Sequence, residues 1–114
     1  MNKIFEEIDK FIKSPNRNQW IYTDEMSIYV RKSKRPLCGE LIDFFDLATI
    51  NVTCPGKGMF TKFINEFMKK YPDLNIYIES VLTARFQNFI YNKLKFKRYY
   101  MYEGCFYKLS ENER

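Results

Sequence analysis

The residues best placed to do chemistry in this chain are Gly56-Lys57-Gly58. They lie between a long apolar stretch, Glu40–Val52, and an amphipathic run that begins at Met59. Strand, glycine turn and helix together make an anion site. Glycine lets the main chain approach a phosphate, and the free N–H groups of the helix's first turn point at it. A Gly-x-Gly also serves as a plain tight turn, so its surroundings must decide. A Walker loop is excluded, because it needs Gly-x-x-x-x-Gly-Lys-Ser/Thr and Gly58 follows Lys57 here. A dinucleotide fingerprint fails as well, since its third glycine position is Thr61. The turn therefore suits a phosphorylated ligand of another kind.

Other reactive groups narrow the field. The chain has no histidine, which excludes Ser-His and Cys-His pairs and any His-ligated metal. Cys38, Cys54 and Cys105 form no CxxC pair and read as free thiols of a reducing cytoplasm. Asp43 and Asp46 sit in an otherwise apolar strand, three apart and so on opposite faces. Carboxylates there cost energy unless paired or wet. The net charge of +5 fits a nucleic acid, an acidic protein, a phosphorylated cofactor or simply a lysine-rich surface.

The positioning elements follow from periodicity. Ile4, Phe5, Ile8, Phe11 and Ile12 predict a helix over 3–13, ended by Ser14-Pro15-Asn16. Gln19–Thr23 and Met26–Lys32 read as a hairpin, and Lys32–Pro36 as a basic loop. Glu40–Val52 reads as a central strand with a bend near Ala48-Thr49. Phe60, Phe63, Ile64, Phe67 and Met68 predict a helix over 59–71. Leu74–Ser80 alternates as a strand, Thr83 caps a helix over 84–94, and Lys97–Leu109 holds one or two strands around Glu103-Gly104. The 114 residues suit one domain, 1–114, with no repeat or linker. The order α-β-β-β-α-β-α-β(-β) implies a mixed sheet covered by helices. No apolar run is long enough to span a membrane, and the N-terminus lacks a signal peptide's apolar region, so a cytoplasmic location is expected.

From Ile42 to Phe96 the chain resembles the GNAT superfamily of N-acetyltransferases. Members carry Arg/Gln-Gly-x-Gly-x-Gly/Ala between a strand and a helix, matched here by Pro55-Gly56-Lys57-Gly58-Met59-Phe60. Further on they carry Phe/Leu-Tyr-x-x-x-Gly-Phe, matched by Ile90-Tyr91-Asn92-Lys93-Leu94-Lys95-Phe96. Glu79-Ser80-Val81-Leu82 is similar to small acetyltransferase-like proteins of bacteriophages. Pro55, Phe60 and Lys95 depart from the pattern, Phe60 and Lys95 at positions of small residues.

The resemblance implies an α/β (α+β) fold: a mixed, mostly antiparallel sheet with helices on both faces. It implies acetyl-CoA as cofactor, in a cleft where the strand ending at Val52 splays from Leu74–Ser80. The backbone of Ile50 and Val52 would pair with the pantetheine arm. The N–H groups from Gly56 through Lys57, Gly58 and Met59 to Phe60 would take the pyrophosphate at the positive end of the helix dipole. Tyr91 would be the general acid for the leaving thiolate, and Glu79 the candidate base for an attacking amine. The acceptor amine, a protein lysine among the candidates, is not specified, nor is monomer against homodimer. The other reading is a binding protein on the same fold. It would use the basic segments Arg31–Arg35 and Lys93–Arg98, with Tyr99, Tyr100 and Tyr102, on a protein or nucleic acid.

Overall fold

The structure, a computed structural model, describes residues 2–54, 56, 58–79 and 84–110. Helix α1 (Asn2–Lys13) is followed by the strands β1 (Asn18–Tyr22), β2 (Met26–Leu37) and β3 (Glu40–Val52). Helix α2 (Met59–Lys70), strand β4 (Ile76–Ile78) and helix α3 (Ala84–Asn88) come next. A π-helical turn, Phe89–Lys93, continues α3, and the short strands β5 (Lys97–Arg98) and β6 (Phe106–Lys108) close the chain. The strands form one sheet in the order β1-β2-β3-β4-β6-β5, antiparallel except for the β3–β4 pair. This is the mixed, mostly antiparallel sheet expected.

The apolar side chains divide by strand parity. Ile28 and Val30 of β2, Phe45 and Leu47 of β3, Ile76 and Ile78 of β4 and Phe106 of β6 face one side. There they meet Ile4, Phe5, Ile8 and Phe11 of α1, Phe63, Ile64 and Phe67 of α2, and Ile90 of the π-turn. Phe5 stacks on Phe63 at 5.5 Å, and Phe45 lies 5.9 Å from Phe11 and 5.4 Å from Phe67. All the described helices thus pack on one face. Among the described residues the opposite face, where a helix was also expected, holds a smaller cluster of Leu37, Phe44, Tyr77, Tyr99 and Cys105.

The expected basic loop Lys32–Pro36 is strand. β2 runs on to Leu37 and pairs with β3 from Lys32↔Phe45 to Leu37↔Glu40. A tight turn at Cys38 (φ 51°) and Gly39 (φ 83°) joins the two, with both central residues left-handed as a type I′ hairpin requires. Pro36 fits because β1 pairs with β2 only as far as Arg31, leaving that side of the strand without a ladder.

Candidate active site

The site begins where the sheet stops being continuous. β3 pairs with β4 only over Phe45↔Ile76, Asp46↔Tyr77 and Leu47↔Ile78. Among the described residues the Glu79 N–H to the Leu47 carbonyl, at 3.3 Å, is the last rung; β4 ends at Ile78, while β3 runs on to Val52.

A bulge decides which backbone groups face the gap. Tyr29 pairs with Thr49 and Val30 with Leu47, so Ala48 has no counterpart. Before the bulge, the Phe45 N–H bonds Asn75 and the Leu47 carbonyl bonds Glu79, so odd residues point toward β4. After it, the Thr53 N–H bonds the Glu25 carbonyl on the β2 side. By alternation, Ile50 and Val52 then turn their backbone groups to the side β4 has left. The bend expected at Ala48-Thr49 is this bulge.

The glycine turn lies at the head of the gap. Gly58 caps α2 with φ 73° and, having no side chain, gives the first turn of the helix no cap hydrogen bond. The first helical bond runs from the Lys62 N–H to the Gly58 carbonyl at 3.0 Å. The N–H groups of Met59, Phe60 and Thr61 therefore have no partner within the helix. Gly56, with φ 84°, is also left-handed. A Cβ at either glycine would meet nothing within 4 Å, so conformation, not crowding, selects glycine. Phe60 is half-buried, 5.0 Å from Phe86 and packed against the core, which draws its ring toward α3. Lys57, expected to bind the cofactor, and Pro55 and Thr83 lie outside the described residues.

The Phe60–Phe86 contact brings the two sequence motifs together, because Phe86 lies five residues before Tyr91. Where one α-helix over 84–94 was expected, the chain changes to π geometry at Phe89, and the Leu94 N–H bonds the Phe89 carbonyl at 3.1 Å. Ile90 and Leu94 anchor the turn in the core, and Tyr91 stands 42 % exposed beside them. The Arg98 guanidinium sits 4.2 Å from the centre of the Tyr91 ring and holds it by a cation–π contact. Lys95 takes φ 62°, a left-handed conformation that favours glycine.

On the face opposite α1 and α2, polar residues form a network around Asp46. Asp46 is fully buried and accepts from Arg31 Nε at 2.9 Å, Arg35 Nη2 at 2.8 Å and Ser33 Oγ at 2.7 Å. Arg31 also donates to Glu79, with Arg35 4.0 Å away, and Arg35 stacks 3.7 Å over the Tyr77 ring. Burial alone would lower the Arg31 pKa, but the hydrogen bonds and charges of Asp46 and Glu79 raise it. Burial, followed by its hydrogen bond with Cys105, pushes the Tyr77 phenol up. Removing one partner from a buried ion cluster costs about 3–5 kcal/mol. Glu79, the expected base, is thus engaged by an arginine. Asp46 is a structural anion, whereas Asp43 is exposed and pairs with Lys34 at 3.3 Å. Arg31, Arg35, Tyr77 and Glu79 line a cavity of about 530 Å³ under the Met101–Glu103 turn. Arg31, Ser33 and Arg35 recur at the strand period, a signal hidden by reading this segment as a loop.

No protein-family model matches this chain, and no curated protein does. Among solved structures it is similar to a Tyr-to-Phe mutant of the toxin AtaT bound to the C-terminus of the antitoxin AtaR and to acetyl-CoA. The TM-score is 0.59 at 11 % identity, over 77 % of this chain and 60 % of that one. At this identity the likeness concerns the fold. The parallel β3–β4 pair within an antiparallel sheet, the bulge before the gap and the glycine turn into α2 make this a GNAT-like α+β fold.

Proposed function

We propose that the protein is an N-acetyltransferase that takes acetyl-CoA into the gap between β3 and β4 and moves the acetyl group to an amine by direct attack. The observation that carries this reading is the bulge at Ala48, which aims the backbone of Ile50 and Val52 into a gap headed by the uncapped N-terminus of α2. Acetyl-CoA supplies the thioester-activated acetyl group. Ile50 and Val52 bond its pantetheine arm as a missing strand would, and the first-turn N–H groups of α2 face its pyrophosphate. Tyr91, its ring held under Arg98, gives a proton to the leaving thiolate. The amine's proton leaves to a carboxylate or a water, with Glu79 the candidate at the last rung. The bound acetyl-CoA of the toxin AtaT supports the choice of cofactor.

The test is the melting temperature at saturating acetyl-CoA. A rise for the native chain that is absent in Gly58→Glu supports the reading; no rise in the native chain rejects it. A second reading, a protein that keeps the fold and the ligand but not turnover, is favoured by one observation: Arg31 occupies Glu79. Acetyl-CoA binding without thiol release on any amine tested would select it.

A further inference from the structure

The two edges of the sheet are built differently. β5 is two residues long, and both, Lys97 and Arg98, are charged, which blunts an edge against pairing. β1 is five residues, Asn18-Gln19-Trp20-Ile21-Tyr22, with no charge and no proline. Among the described residues it pairs with β2 alone, and no other strand of the sheet lies along its outer side.

The parity of that outer side is fixed. The Arg17 carbonyl accepts from the Lys32 N–H at 2.8 Å, and the Thr23 N–H donates to the Met26 carbonyl at 2.9 Å. Odd-numbered residues therefore serve β2, and Asn18, Trp20 and Tyr22 turn their backbone groups outward. The same even row puts Trp20 and Tyr22 on the face opposite α1 and α2, 41 % and 70 % exposed. Their rings stack at 5.7 Å, and Trp20 leans on Tyr29 at 5.2 Å.

We propose that β1 is a docking edge for a second copy of this chain, joining two sheets antiparallel across a two-fold axis. Charge complementarity identifies the occupant. β1 is preceded by Arg17 and followed by Asp24-Glu25. Antiparallel self-pairing centred on Trp20 or Ile21, the central registers that keep side chains on their faces, brings Arg17 of each copy to the acidic turn of the other. It also sets the Trp20–Tyr22 row against its counterpart, and aromatic cross-strand pairs stabilise such ladders. A parallel arrangement would set like charges together. Closed two-fold contacts of this kind end assembly at a dimer.

The test uses the full chain with no ligand added: its molar mass by light scattering during gel filtration, and its dimerisation constant by analytical ultracentrifugation. A dimer at micromolar concentration is expected. Trp20→Lys, at an exposed position, should weaken it by at least about tenfold. Arg17→Glu and Asp24→Lys should each weaken dimerisation, and the two together should restore it, with the circular dichroism of the monomer unchanged. A native chain that stays monomeric at hundreds of micromolar overturns the proposal. So does a dimer indifferent to Trp20→Lys, or single charge variants that the double variant does not rescue.

Discussion

Gly58 and Lys95 both have left-handed φ angles, 73° and 62°, at two turns flanking the proposed cleft. At Gly58 the residue suits the conformation. At Lys95 a side chain is carried in a region that costs an ordinary residue about 1–2 kcal/mol. The cost is tolerated because the surroundings fix the turn. Leu94 and Phe96 are buried on either side of it, and the Phe96 N–H bonds the Ile90 carbonyl at 3.1 Å. Gly58 has no comparable anchoring: it is exposed, its cap lacks a side-chain bond, and its carbonyl starts α2. One turn relies on its residue and the other on its neighbours, although both hold a left-handed φ.

Substitutions at these turns can break or sharpen that contrast. The largest effect is expected from Gly58→Glu, which puts an anion at the proposed pyrophosphate site and should abolish the acetyl-CoA-dependent rise in melting temperature. A retained rise would show that the turn does not face the ligand. Next comes Tyr91→Phe on the far side. Its turnover should fall about 100-fold with acetyl-CoA affinity unchanged, and steady-state kinetics beside calorimetry separate the two; weakened binding would contradict the role given to the hydroxyl. Gly58→Ala should cost about 1–2 kcal/mol in urea unfolding, from conformation alone, since the new methyl group meets nothing within 4 Å. The smallest effect has the opposite sign. Lys95→Gly should gain about 0.5–1 kcal/mol, the relief of left-handed strain less the entropy of a glycine, whereas Lys95→Ala should leave stability nearly unchanged.

What the sequence discloses depends on how local each feature is. The 13 residues of β3 were legible at both ends, because a long apolar run closes on Gly39 at one side and on the glycine turn at the other. The stripe from Phe60 to Met68 located α2 to within a residue. β2 was read short because residues 32–36 are polar and include Pro36. Only pairing with β3 and the buried charge of Asp46 make them strand, and neither is visible in the segment itself. The π-turn at Phe89 was hidden for a related reason: it preserves the helical apolar spacing while changing the hydrogen bonds. That α1 and α2 share one face was equally hidden, because apolar helices do not say which side of a sheet they will choose. Within the site, the glycines, Tyr91 and the open stretch of β3 could be read from motif spacing. The arginine that occupies Glu79 could not, since Arg31 lies 48 residues away in the chain.

The extra residue at Ala48 gives β3 two phases, and the change of phase falls between Leu47 and Thr49. A strand of the same composition that ran through Ala48 in regular alternation, with no bulge, would keep every side chain needed for the core, yet count wrongly from that point on. Ile50 would leave the apolar face, and the amides meant for a ligand would turn to β2 instead. The binding edge is therefore encoded as a number of residues as much as by their identity.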